Sequence, residues 1–147
     1  APGLLVHGPA LKRPADLASH VLLCSMNRPK DWPAWLAAAG APQIDGNGGL
    51  KFENAALAYQ AASDQLGVMV ALDAFVREDL ATGRLVAPFA LRVPTRGAHY
   101  LPWRVRQPLP ERVRAFEEWI AKEAQAMEDA VASDSLRAYK RSGEIAD

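Results

Sequence analysis

The residue types that most often carry chemistry are few in this chain. His7, His20 and His99 have no sequence neighbours with the spacing of a metal site, and no Walker loop, zinc-protease motif or nucleophile elbow is present. His20 and Cys24 are two potential metal ligands without a third, which is more typical of a buried strand cysteine beside a surface histidine. The sequence therefore predicts no catalytic residue, no metal and no cofactor, and we expect a protein that is not an enzyme.

The best candidate for a binding site is a helix N-terminus that follows a short strand. Residues 50–52 are predicted to be extended, and Asn54 is a favourable N-cap for the alanine-rich helix after them. In open α/β sheets ligands bind beyond the carboxyl ends of the strands, where backbone N–H groups and the helix dipole favour an anion. Most capped helices of this kind bind only water, so the pattern alone leaves both interpretations open.

The stretch 50–72 that contains this helix predicts a βαβ unit. Gly67 directly follows the helix and is expected to adopt a left-handed C-cap, and the apolar run 68–72 suits a strand covered on both faces. Small side chains would allow the helix to lie close to the sheet. Its predicted apolar face consists of residues at helical spacing, namely Ala55, Ala58, Tyr59, Ala62 and Leu66.

Shorter elements are predicted on both sides of this unit. Residues 1–25 begin with a lead rich in Pro and Gly, followed by a helical turn at 14–17 and a strand at 21–24. Asp31 or Trp32 is expected to cap a helix that ends at Gly40. The pair Trp32 and Trp35 could stack on a ligand ring, but sealing one end of a core is the interpretation we favour.

The second half of the chain contains more polar elements. Asp73 is predicted to cap a helix over 74–81 that ends at Gly83, and residues 85–86 are predicted to form a short strand. Residues 99–103 form another predicted strand, which Pro102 limits to an edge position. A helix over 110–132 has an apolar stripe, and the polar tail 133–147 either frays or prolongs that helix.

Composition excludes several classes of protein. The 147 residues suffice for one domain with a core, and 17 Lys and Arg balance 17 Asp and Glu, so no basic surface for nucleic acid is expected. The single cysteine excludes an internal disulfide and fits a reducing compartment. No apolar run approaches the roughly 20 residues of a membrane span. We therefore expect a cytoplasmic protein that contacts no membrane.

The order of these motifs resembles LysR-type transcriptional regulators, in the C-terminal part of their effector-binding domain. The resemblance covers residues 1–127 and includes several motifs typical of the glycine-cleavage-activator-like branch. The motifs are Phe52-Glu53-Asn54 with its alanine helix, residues 66–72, residues 79–89, the upstream Pro14-x-Asp16-Leu17 and Trp32-x-x-Trp35-Leu36, His99-Tyr100-Leu101, and Val113-x-x-Phe116-x-x-Trp119-Ile120.

The resemblance implies a sensor of a small molecule with a Rossmann-like, periplasmic-binding-protein-like α/β fold. Residues 1–89 would be effector-binding subdomain two, residues 90–132 a strand and helix of an incomplete subdomain one, and residues 133–147 a polar tail. The effector, an anionic or amino-acid-like metabolite, would bind in the cleft between subdomains. The implied contacts are Phe52, Glu53, Asn54 and Ala55, with Val70 beneath them and Tyr100 opposite.

The same resemblance implies that DNA binding resides in an N-terminal winged helix that this sequence does not include. We therefore expect no direct contact with DNA by this chain. The apolar stripe of the terminal helix and unpaired strand edges predict a homo-oligomer. The alternative is a truncated structural or interaction remnant that oligomerises and binds no small ligand.

Overall fold

A parallel sheet of three strands forms the centre of the first of two units, Ala1–Pro94 and Thr95–Asp147. In this computed structural model the described residues are 1–95, 100, 102 and 110–143. The strands are β1 (Leu22–Ser25), β2 (Leu50–Phe52) and β3 (Val68–Met69), in the order β2-β1-β3, and β1 pairs in parallel with both neighbours. Parallel strands separated in the chain by helices confirm the predicted α/β class.

Helices connect the strands and continue the chain beyond them. A 3-10 helix over Pro14–Ser19 precedes β1, in agreement with the predicted helical turn. The α-helices are α1 (Pro2–His7), α2 (Asp31–Ala38), α3 (Ala55–Ser63), α4 (Asp73–Ala81) and α5 (Glu111–Gly143). No helix among the residues that the structure describes is long and apolar enough to cross a membrane.

The sheet is covered on both faces, because successive side chains of a strand point to opposite sides. Leu22 and Cys24 belong to one buried cluster, together with Trp32 and Leu36 of α2. Leu23 lies between them in β1 but belongs to a second cluster, formed with α3 and α4. The same alternation continues in β3 and the residue after it, where Val68 and Val70 pack against the first cluster and Met69 packs against the second.

Helix α3 packs on the sheet through alanines. Ala58, Ala61 and Ala62 are 0%, 5% and 4% exposed, and their small side chains allow the helix backbone to come close to the strands. The predicted small face is therefore correct for Ala58 and Ala62. Leu66 does not belong to it, because its side chain is 54% exposed beyond the end of the helix.

The residue after α3 that we expected to be a left-handed cap has a different role. The helix ends at Ser63, and the positive φ angle of 66° belongs to Gln65 rather than to Gly67. Gly67 lies against β1 instead, where a Cβ atom would collide with the main-chain oxygen of Val21. The prediction was wrong because it considered only the helix and not the strand beside it. Gly40, at which the preceding helix was predicted to end, lies just after α2 and has a positive φ angle of 70°.

Other predicted boundaries also differ from the structure. The lead before residue 14 contains helix α1, β3 ends at Met69, and residues 85–86 are not a strand, although Leu85 is buried. Neither Asp31, Trp32 nor Asp73 is an N-cap, since Lys30 and Leu72 occupy those positions without a capping side chain. Asp31 and Asp73 instead form ion pairs with arginines.

The second unit consists mainly of α5, which has 33 residues. It reaches Gly143, so the alternative in which the tail prolongs the helix is correct. Of the predicted strand 99–103, His99, Leu101 and Trp103 lie outside the described residues. The apolar stripe of α5 is present, and its large side chains are exposed, namely Phe116, Trp119, Ile120 and Met127.

Candidate functional site

Three loops meet at one edge of the sheet. Because β1, β2 and β3 are parallel, their carboxyl ends lie on the same side, and the residues that lead into α2, α3 and α4 follow them directly. The N–H group of Met26, after β1, donates to the main-chain oxygen of Phe52 in β2 over 2.8 Å. The first two loops are therefore held together by a hydrogen bond.

The N-terminus of α3 points its backbone donors toward this edge. The Asn54 side chain accepts a hydrogen bond from the N–H group of Leu57 at 3.1 Å, which confirms the predicted N-cap. The N–H groups at the start of an α-helix have no partner within the helix. Helices α2 and α4 carry an acidic residue in the first turn, Asp31 and Asp73, whereas α3 carries none. The dipole of α3 is thus not balanced by a carboxylate of its own first turn.

A shallow depression lies beside this helix start. Ala55 and Val70 both line it, so the structure brings together two of the residues predicted for the effector site. The volume of the cavity is only about 10 Å³, which is room for about one water molecule. Its other walls come from β1, the β1–α2 loop and the first turn of α2, and include Ser25, Arg28, Asp31 and Trp32.

An ion pair forms the polar wall of the depression. Arg28 binds Asp31 through two hydrogen bonds, from Nε at 2.6 Å and from a terminal nitrogen at 3.0 Å, and both side chains are partly buried. Beside it, the Ser25 hydroxyl donates to the amide oxygen of Asn27 over 2.6 Å. These side chains supply hydrogen-bond donors and acceptors at the edge of the sheet.

Cys24 lies at the base of the depression but does not offer a nucleophile. Its thiol donates to the main-chain oxygen of Gly46 at 3.1 Å, and the residue is buried. Burial raises the pKa of the Cys24 thiol above its ordinary value, so the reactive thiolate is disfavoured. Among the described residues, no group of three or more His, Cys, Asp or Glu could hold a metal ion.

The remaining predicted site residues have different environments. Phe52 packs against the second buried cluster, with only part of its side chain accessible, while Glu53 is exposed. Tyr100 belongs to the second unit and is 85% exposed, and its contact with an effector stays a prediction. Ser25, Arg28 and Asp31 also line the depression and were not among the predicted site residues. Their signal was present, since Ser25 ends the central strand, Arg28 follows in the next loop and Asp31 begins α2.

Comparison with known proteins identifies the family of domains to which this chain belongs. The sequence profile of the LysR substrate-binding domain matches residues 1–125. The structure is similar to the effector domain of the transcriptional regulator AmpR of Pseudomonas aeruginosa, with a TM-score of 0.66 and 32% identity over 80% of this chain and 55% of that one. The fold is therefore that of a ligand-binding domain of the periplasmic-binding-protein type.

The chain belongs to the LysR substrate-binding domain family, whose members are effector-binding domains of transcriptional regulators. It is 33% identical to the glycine cleavage system transcriptional activator of Escherichia coli (strain K12), over 88% of this chain and 42% of that protein. It is 34% identical to the regulator TrpI of Pseudomonas aeruginosa, over 74% of this chain and 36% of that protein. The chain thus spans less than half the length of these relatives. The predicted resemblance is confirmed.

Proposed function

We propose that this chain is the small-molecule-sensing part of a LysR-type transcriptional regulator and that the effector binds at the edge formed by Asn54, Ala55 and Val70. The observation that carries the proposal is the start of α3, whose free backbone donors adjoin the depression lined by Ala55 and Val70. An effector with a carboxylate would accept hydrogen bonds from those donors and interact favourably with the helix dipole.

The side chains around this edge favour an effector that also carries a donor group. Glu53 precedes the cap and is exposed, and Asp31 lines the depression. An amine or hydroxyl of the effector could donate to these carboxylates, and Ser25 could accept or donate. An amino-acid-like metabolite combines a carboxylate with an amine, so we propose that class of ligand. The predicted contacts of Phe52 and Tyr100 are part of the same proposal.

The proposal has further parts that concern the intact protein. The regulator would not use this chain for catalysis or for DNA contact, since its relatives are regulators and its charges balance at 17 of each sign. It would act in the cytoplasm as a homo-oligomer. Residues 1–89 would form subdomain two, residues 90–132 would contribute to subdomain one, and residues 133–147 would form a polar tail.

A thermal-shift screen with amino acids and small carboxylates tests the proposal. A ligand at 100 times its Kd should add about 2.7 kcal/mol to the free energy of unfolding, which raises the melting temperature by several degrees. Ala55→Glu should abolish the shift, because it places a carboxylate in the depression. Ala56→Glu is the matched control, since Ala56 is exposed in the same helical turn. A ligand shift that both variants retain would contradict the site.

A second candidate function is a structural or interaction remnant that binds no small ligand. Two observations favour it, namely the small volume of the depression, about 10 Å³, and the exposed apolar side chains of α5. The same screen separates the two candidates. If no amino acid or carboxylate stabilises the chain while it still associates with itself, the remnant is the better description.

A further inference from the structure

The chain leaves the first unit through residues 89–92, the crossover segment, which has no regular secondary structure but is attached at three points. The Phe89 ring lies 5.4 Å from the Trp35 ring of α2. The Trp35 indole nitrogen donates to the main-chain oxygen of Leu91 over 3.4 Å. Arg92 forms an ion pair with Asp73, the first residue of α4, at 3.3 Å. An irregular segment with three such contacts in four residues is fixed by side chains of two different helices.

Asp73 forms ion pairs with two arginines, Arg92 of the crossover segment and Arg77 of its own helix. Its second carboxylate oxygen binds Arg77, one turn further along α4, at 3.4 Å. Each of the two oxygens therefore has its own arginine, one inside the helix and one in the crossover segment. Both arginine side chains are 43% exposed, and the Asp73 side chain is 30% exposed. The two pairs are similar in distance and exposure, but the first lies within α4 and the second joins α4 to the crossover segment.

The loop before Asp73 belongs to the candidate effector edge. Val70 lines the depression, and two residues later the N–H group of Leu72 donates to the Tyr59 hydroxyl of α3 over 3.4 Å. The helix whose N-terminus faces the edge therefore holds the loop, and the loop leads directly into Asp73. A continuous set of contacts runs from α3 through Leu72 and Asp73 to Arg92.

We propose that Asp73 is a positioning residue that clamps the crossover segment to the loop after β3, so that a displacement of this loop is transmitted to Arg92. The proposal rests on the proposed function in one respect, since it takes the loop as the border of the effector site. A ligand that moved Val70 and Leu72 would then change the attachment of the segment through which the chain passes to its second unit.

Solvent exchange of the Trp35 indole proton, observed by NMR, reports directly on the attachment of the crossover segment. The signal is assigned by its loss in Trp35→Phe. Removal of a half-exposed ion pair should increase opening, and therefore exchange, by about two- to fivefold in Arg92→Gln. Arg77→Gln is the matched control and should leave the exchange rate unchanged, while Arg92→Lys should return it to the native rate. Equal rates in Arg92→Gln and Arg77→Gln would overturn the clamp.

A double-mutant cycle tests the transmission from the loop. Tyr59→Phe removes the hydroxyl that holds Leu72 and should accelerate Trp35 exchange in the native background. In the Arg92→Gln background it should have no further effect, because the path is already broken. The same effect in both backgrounds, or no effect in either, would contradict the coupling. Since no ligand is present in these measurements, their failure is distinguishable from a failure of the proposed effector site.

Discussion

The indole nitrogen of Trp32 donates a hydrogen bond to the main-chain oxygen of Leu23 over 3.0 Å, and both residues are buried. This bond joins α2 to the central strand at the base of the candidate site. Trp32→Phe removes the donor, and we expect a loss of about 1–3 kcal/mol in the free energy of unfolding. Urea unfolding with an unchanged m-value would measure it. Trp35→Phe, which removes a longer and exposed bond, should cost less, and an equal cost would contradict this role of Trp32.

Gly67 should be sensitive to any added side chain. A Cβ atom there would collide with the main-chain oxygen of Val21, which cannot rotate away as a flexible side chain could. We expect Gly67→Ala to lower the free energy of unfolding by about 1–3 kcal/mol. Gly83→Asn is the control, because Gly83 has a positive φ angle that asparagine tolerates and nothing lies within 4 Å of its added Cβ. A smaller loss for Gly67→Ala than for this control would be inconsistent with the close approach.

The buried thiol of Cys24 should make stability decrease at alkaline pH. Because burial raises its pKa, the folded chain holds the proton more tightly than the unfolded chain. The resulting contribution is complete below the ordinary thiol pKa and is lost as the pH rises through the folded pKa. Urea midpoints measured between neutral pH and about pH 10 should therefore decrease less steeply in Cys24→Ala. Parallel curves for the two proteins would show that the thiol does not contribute.

The exposed stripe of α5 should mediate self-association. Phe116, Ile120 and Met127 are 44%, 41% and 37% exposed, and each would contribute about 1.5–3 kcal/mol if it were fully buried. We expect light scattering at micromolar concentration to give a mass above that of the monomer. Ile120→Glu should lower that mass, whereas Ala121→Glu, which is exposed and lies outside the stripe, should not. A monomer mass for the unaltered chain would contradict the prediction.

Features that depend on neighbouring residues in the sequence were predictable. The cap at Asn54 and the end of α2 just before Gly40 follow from local chemistry, and both are present. The alternation of β1 follows from strand periodicity. Burial of Trp32 also agrees with the interpretation that the tryptophans seal the core rather than stack on a ligand.

Features that depend on distant residues were not predictable in this way. Gly67 is adapted to the main-chain oxygen of Val21, and Asp73 pairs with Arg92 instead of capping its own helix. Ser25 approaches Ala55 at the depression only because β1 lies beside β2 in the sheet. The start of α3 in the candidate site is local in sequence and was predictable, whereas the polar wall comes from the loop after β1 and the start of α2.

The position at which an effector binds decides whether the start of α3 is the effector site. We would titrate the isotopically labelled chain with the amino acid or carboxylate that stabilises it most and follow the backbone amide signals by NMR. We expect the largest, saturable shifts at Asn54, Ala55 and Val70, and we expect Ala55→Glu to remove them and Ala56→Glu to preserve them. Saturable shifts confined to residues away from the carboxyl edge of the sheet would show that the effector binds elsewhere.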